Sequence, residues 1–192
     1  MTCYRSNGCW LLLSLALAGL LMLWSPVMAN TVKWTTVGRW DISYYPGAKG
    51  CQAFSVFEGD TAFFIGFDTR GNNRWLDVTL LDPHWSKMQS GEVYEIIVRF
   101  DDESPWMVSM AGLVIDDFPG LNILIDADSD QAIKFIEEFR RKHSMEWTFD
   151  GDKLGRYALT GSFDAFGQVE ACQKSYEVST QTQNATAPTA SN

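Results

Sequence analysis

An acidic segment of the chain has part of the spacing of a calcium-binding loop. Asp126, Asp128 and Asp130 alternate, and Glu137 follows where such a loop closes with a bidentate carboxylate. Gln131 stands where the sharp turn requires glycine, and the residues ahead predict a strand instead of an entering helix. We therefore expect an acidic strand end and a helix N-cap here, and the sequence predicts no metal site and no cofactor.

His84 lies in an evident loop, where functional residues concentrate. Asp82 and Ser86 are close in sequence, so the imidazole could act as a general base. No G-x-S-x-G or H-E-x-x-H motif accompanies it, and an ordinary turn histidine is the simpler interpretation. A small secreted hydrolase using His84 and a nearby carboxylate remains the alternative function.

Pairs of acidic residues could serve glycoside hydrolysis, which needs two carboxylates about 5 to 9.5 Å apart. The pairs are Asp101/Asp102, Asp116/Asp117 and Asp150/Asp152. Each lies in a predicted turn, where acidic residues are common. We assign no catalytic residue.

Exposed aromatic side chains are the best indication of a binding surface. Four tryptophans fall within predicted strands, where core packing explains them: Trp40, Trp75, Trp106 and Trp147. Trp34 and Trp85 remain at edge or loop positions. With Tyr45 and His84 they form our predicted binding surface, although Trp85 could instead fold back as a lid on the sheet.

The first 29 residues predict an exported protein. Arg5 precedes an apolar run over residues 10–24, and residues 27–29 (Val-Met-Ala) have the small residues of a cleavage site. The run is shorter than the ~20 residues of a membrane-spanning helix. We predict cleavage after Ala29, with an uncleaved anchor as the alternative, and a periplasmic or secreted product that has no membrane association after cleavage.

Cleavage leaves two cysteines, Cys51 and Cys172. In an oxidising compartment they are expected to form a disulfide. A reactive or metal-binding thiol pair is the rival interpretation, but the sequence has no CxxC motif and few histidines.

The charge of the chain disfavours nucleic acid as a partner. Loss of residues 1–29 removes Arg5 and no acidic residue, so the formal net charge changes from −9 to −10. Phosphate backbones and anionic lipids repel such a chain. The remaining length suits a single domain, which we place at residues 30–176.

Apolar periodicity predicts a mainly β fold of the α+β class. Short strands are predicted at 40–45, 51–57, 61–67, 75–81, 92–100, 106–115, 121–125, 145–149 and 156–160. This spacing is typical of an antiparallel β-sandwich or barrel of about eight to nine strands.

Two short helices are predicted near the C-terminus. The first runs from Ser129 or Asp130 to about His143, with Ile133, Ile136 and Phe139, and Ala132 and Phe135 beside them, as its apolar stripe. The second begins at residues 161–162, with Phe163, Phe166, Val169 and Cys172 facing inward. Residues 177–192 are polar and predict a disordered tail.

Three segments carry a resemblance to known proteins. They are Gly50-Cys51, the turn Glu58-Gly59-Asp60-Thr61, and Gly161-Ser162-Phe163-Asp164-Ala165 followed by Val169 and Cys172. The chain resembles small exported bacterial proteins of unassigned function, with an early cysteine matched by one on a final short helix. The resemblance implies a periplasmic or secreted β-rich domain with a single disulfide.

These observations favour an exported, non-enzymatic binding or structural module of the cell envelope. Its partner would be another envelope or extracellular macromolecule, which the sequence does not identify. Neither the ligand nor the oligomeric state follows from the residues.

Overall fold

The computed structural model describes residues 31–71 and 73–186, with side chains up to residue 178. The predicted leader, its cleavage position and the last six residues of the predicted tail lie outside this range.

Ten strands and two helices make up the described chain. The strands are β1 (Val32–Val37), β2 (Trp40–Tyr45), β3 (Gly50–Val56), β4 (Ala62–Asp68), β5 (Trp75–Leu81), β6 (Val93–Phe100), β7 (Trp106–Ile115), β8 (Phe118–Asp126), β9 (Ser144–Phe149) and β10 (Asp152–Ala158). The helices are α1 (Asp130–Arg141) and α2 (Ser162–Thr186). The described helices lack the combination of length and apolar character that spanning a bilayer requires.

All ten strands belong to one antiparallel sheet in the order β1-β2-β3-β4-β5-β8-β7-β6-β9-β10. The sheet is not closed, and β1 and β10 are its two edges. It folds over on itself like a sandwich, so that side chains of β4 and of the residue before it contact those of β9 and β10. The rings of Phe63 and Trp147 lie 6.5 Å apart, and Tyr157 donates a hydrogen bond to Thr61. The predicted β-rich class is therefore confirmed.

The core lies between the inner face of the sheet and the two helices. Alternate residues of each strand point to this face, and fully buried aromatic residues dominate it. Trp40 is at its centre, with edge-to-face contacts to Phe63 and Phe139 at 6.2 and 5.4 Å. Its indole N–H donates to the carbonyl of Thr160, which fixes the start of α2 against β2.

Helix α2 is held to the sheet by the predicted disulfide. Cys51 of β3 is bonded to Cys172 of α2 across 121 residues of sequence. On one side Gln173 accepts a hydrogen bond from the backbone N–H of Cys51, and on the other Tyr176 stacks on Tyr44 at 3.8 Å. These contacts cover the inner face of β2 and β3 with the helix.

Strand β1 was not predicted, and its exposure explains why. Its residues are exposed or half-buried, and its alternation of apolar and polar residues extends over only four positions, 32–35, which is too short to indicate a strand. The β-branched residues of the segment are the signal that could have found it.

The predicted helix faces need correction. In α1 the buried residues are Ala132, Phe135, Glu138 and Phe139, spaced at i, i+3, i+6 and i+7, whereas Ile133 is 54% exposed. In α2 Phe163 is 53% exposed, although Phe166, Val169 and Cys172 are buried as predicted. Glu138 can be buried because its carboxylate accepts a 2.6 Å hydrogen bond from the indole N–H of Trp106.

Helix α2 also continues past residue 177, where we placed the start of a disordered tail. It reaches Thr186, because no glycine or proline interrupts the chain before Pro188.

We expect the Cys51→Ala, Cys172→Ala double variant to fold with a reduced melting temperature. Chain-entropy arguments assign a loop of this length about 4 to 5 kcal/mol, which corresponds to roughly 10 °C or more in a domain of this size. Thermal unfolding followed by circular dichroism measures the loss. Two free thiols titrating in the folded, oxidised wild type would contradict the prediction.

Candidate functional site

The four residues predicted as a binding surface lie at opposite ends of the sheet. Tyr45 pairs with Gly50 at the β2–β3 turn, and Trp34 is in the adjacent part of β1. His84 and Trp85 follow Leu81, which pairs with Ala62 at the far end of β4. Because Tyr45 and Ala62 are at opposite strand ends, the four side chains do not form one surface.

The structure gives Trp34 and Tyr45 packing roles as well as partial exposure. Trp34 occupies a bulge in β1, and its indole N–H donates to the side-chain oxygen of Gln168 at 3.2 Å. The ring of Tyr45 lies edge-on to Phe64 at 6.1 Å. Burial, reinforced by the charge of Asp41, raises the pKa of Tyr45 to about 12, so its hydroxyl stays protonated at neutral pH.

Trp85 is in the core and offers no exposed aromatic surface. Only 8% of the residue is exposed. Backbone hydrogen bonds from Trp85 N–H to the Asp82 carbonyl and from Met88 N–H to the Trp85 carbonyl turn the loop inward. The large apolar ring is then removed from water, which is the lid arrangement that we gave as the alternative.

The imidazole of His84 lies within hydrogen-bonding distance of a carboxylate. Its Nδ1 lies 3.0 Å from Oδ1 of Asp82, and its backbone N–H donates to the same oxygen. Asp82 is buried, and its second oxygen accepts a 2.6 Å hydrogen bond from the hydroxyl of Thr61. The carboxylate thus holds the imidazole in one orientation while most of the imidazole ring remains in solvent.

The acidic segment that resembled a calcium loop forms a turn and a helix cap. Asp126 accepts the backbone N–H of Asp128, Asp128 is paired with Arg74, and Ser129 caps α1 by accepting the N–H of Ala132. No group of three or more potential metal ligands occurs within residues 31–71 and 73–186.

A polar network occupies the outer face of the sheet. Asp77 accepts hydrogen bonds from Gln52, Thr79 and Asn122 at 2.8 to 2.9 Å. Burial raises the pKa of Asp77, and the nearby charge of Asp68 adds to the shift. The network satisfies a buried carboxylate between strands, which is a structural role.

A groove between α1 and α2, the helix groove, has a volume of about 910 Å³. Its apolar lining comes from Phe67 at the end of β4, Ile133 and Ile136 on α1, and Phe163 on α2. Ile133 and Phe163 were predicted to be core residues, and these two side chains form the exposed apolar part of the groove, whereas Phe67 at its base is buried.

Charged residues of both signs surround this apolar lining. Arg74 pairs with Asp128 at 2.7 Å, Arg140 with Glu170 at 3.5 Å, and Arg141 with Glu137 at 3.3 Å. Lys174 and Glu177 complete the rim, and no ion pair to either is seen in the described part of the chain. The guanidinium of Arg140 also lies 4.5 Å from the centre of the Phe163 ring.

The helix groove thus combines a small apolar centre with a rim of charged residues. Sequence analysis missed it because its residues come from β4, the loop before β5, the turn after β8 and both helices. Of the residues that we assigned to the apolar stripe of α1, Ala132, Phe135 and Phe139 are buried, and their i, i+3, i+7 spacing taken alone would have placed Ile133 outside the core.

Comparisons of the chain with protein-family models, curated proteins and solved structures return no match.

We expect Trp85→Ala to lower stability by about 3 kcal/mol or more, because truncating a buried aromatic side chain leaves a cavity. Urea unfolding measures the change. The exposed neighbour His84 provides a control, since His84→Ala removes a solvated ring and should cost much less. An unchanged midpoint in Trp85→Ala would show that the ring is not a core residue.

Proposed function

We propose that the chain is an exported, non-enzymatic binding module of the cell envelope and that the helix groove is its binding site. The observation that carries this proposal is the pair of apolar side chains, Ile133 and Phe163, that stand half-exposed on either side of the groove. When a partner covers large exposed apolar side chains, their surface is removed from water, and this burial favours binding.

The occupant that suits this groove is a segment of another envelope or extracellular protein. Apolar side chains of that segment would contact Phe67, Ile133 and Phe163. The rim has cations and anions in equal number, so it is complementary to a segment carrying charges of both signs, and it would not attract a uniformly anionic polymer. The acidic net charge of the chain also disfavours a uniformly anionic partner.

Export is supported by the cysteines. The disulfide joins the two cysteines of residues 30–192, and such bonds persist in oxidising compartments. Together with the leader sequence, this favours a periplasmic or secreted location.

The test is a pair of double variants, each of which replaces two exposed apolar side chains with hydroxyl-bearing ones. Ile133→Ser, Phe163→Ser alters the groove, whereas Val56→Thr, Leu124→Thr alters exposed residues on the outer face of the sheet. We expect the first to lower affinity for a partner at least tenfold and the second to have little effect, because contact residues at the centre of an interface dominate binding.

The partner is obtained by affinity capture on the wild type from its own cell envelope, identified, purified and titrated against both variants. Melting temperatures establish that the variants are folded. Equal affinity of the two variants for every captured partner would exclude the groove as the binding site.

A small hydrolase is the second candidate, and the Asp82–His84 contact is the observation that favours it. His143 supplies an internal control, because its Nδ1 also lies near a carboxylate, 3.4 Å from Asp101. If the chain is non-enzymatic, hydrolysis of p-nitrophenyl acetate will be slow and equal in His84→Gln and His143→Gln. A tenfold or greater loss confined to His84→Gln would favour the hydrolase.

A further inference from the structure

The β7–β8 hairpin extends beyond its neighbours in the sheet. On the side of β6, the last residues that pair with the hairpin are Gly91 and Glu92, whose backbone groups form hydrogen bonds with Gly112. On the side of β5, the last residue that pairs with the hairpin is Asp82, whose backbone N–H donates to the carbonyl of Pro119. Residues 113–118 therefore form a free-standing two-stranded tip, called the finger below, in which the strands pair only with each other among the described residues.

Apolar side chains cover the finger although it has no core to join. Val114, Ile115 and Phe118 are 50%, 46% and 46% exposed. A two-stranded ribbon is only marginally stable in water, and solvated polar residues would be the ordinary choice for its surface. Val114 faces Pro119 and Ile115 faces Phe118 across the two strands, so these side chains support the hairpin while Val114, Ile115 and Phe118 remain about half-exposed.

The turn of the finger has unusual backbone geometry. Asp116 and Asp117 have φ angles of 50° and 69°, so both adopt the left-handed conformation that a two-residue hairpin turn demands. Asn-Gly is the usual pair in this turn, because these residues accept positive φ most readily. Two adjacent aspartates instead add conformational strain and like-charge repulsion, and neither has an ion pair within the described residues.

We infer that the finger is a second interaction surface, which inserts into an apolar pocket rimmed by lysine or arginine on a partner protein. The apolar side chains supply contact area, and the two carboxylates at the tip are complementary to cations around such a pocket. Insertion into a lipid surface suits the finger less well, because it would bring the carboxylates of Asp116 and Asp117 to the interface and anionic headgroups would repel them.

The finger and the helix groove lie at opposite ends of the sheet. The finger ends before Gly120, which pairs with Leu81, whereas the groove lies beyond Asp126, which pairs with Trp75. The two surfaces therefore do not overlap. The inference about the finger does not depend on the proposed role of the groove.

Photo-crosslinking of the full exported protein in its own cell envelope tests the finger. A Phe118→p-benzoylphenylalanine variant is irradiated, and crosslinked peptides are identified by mass spectrometry. We expect a peptide that combines apolar residues with lysine or arginine, and a yield that falls at least fivefold when salt is raised from 50 to 500 mM, because the contact includes charge pairs.

The decisive variant adds Asp116→Asn, Asp117→Gly to the crosslinking chain. It improves the turn, so we expect an equal or higher melting temperature, yet it removes both charges, so we expect at least a fivefold loss of crosslinking. A yield that is insensitive to both salt and this substitution, or the absence of any crosslinked protein, would overturn the proposal.

Two parallel measurements separate the remaining explanations. Flotation with phosphatidylcholine vesicles containing phosphatidylglycerol detects lipid insertion, and Phe118-dependent flotation would assign the finger to membranes and overturn a protein partner. An Ile133→p-benzoylphenylalanine chain reports the groove. Crosslinks from residue 133 without crosslinks from residue 118 would leave the proposed function standing and reject the finger.

Discussion

The attachment of α2 to β2 and β3 is the constraint on which the rest of the structure depends. The disulfide between Cys51 and Cys172 fixes the middle of the helix, the hydrogen bond from the Cys51 N–H to Gln173 fixes its rotation, and the stack of Tyr44 on Tyr176 fixes the next turn. Without the helix, the inner face of the first three strands would be open to water. Because the rotation of α2 is set in this way, Phe163 faces outward toward α1, and the helix groove exists.

The same core explains why this sheet remains open. Phe63 contacts Trp40, Phe139 and Trp147, so one inner face packs against the strands of the other layer and against both helices. Closure into a barrel would leave no space for α1 and α2. The unclosed edge at β1 is protected in another way, since a bulge at Trp34 and the contact of its indole with Gln168 interrupt the regular edge.

Much of the fold could be predicted from local pattern, whereas the candidate sites could not. Alternation predicted nine of the ten strands, and Ser129 marked the start of α1 because its side chain satisfies a free N–H of the first turn. The context of export predicted the disulfide. In each helix one residue was wrongly assigned to the buried face, Ile133 in α1 and Phe163 in α2, and these two errors concealed residues of the helix groove. A groove assembled from five separate segments leaves no motif, and the burial of Trp85 depends on a loop conformation that its sequence alone does not specify.

The helix groove and the finger are formed by residues that do not pack fully into the core. The buried carboxylates have structural partners: Asp77 has Gln52, Thr79 and Asn122, and Asp82 has Thr61. Their arrangement is explained by the cost of burying an unpaired carboxylate. The side chains of the helix groove and the finger remain half-exposed and contribute less to the core. They lie at the two ends of the strands, where an antiparallel sheet can add turns and loops without disturbing its ladders, so sites for different partners can evolve there independently of the core.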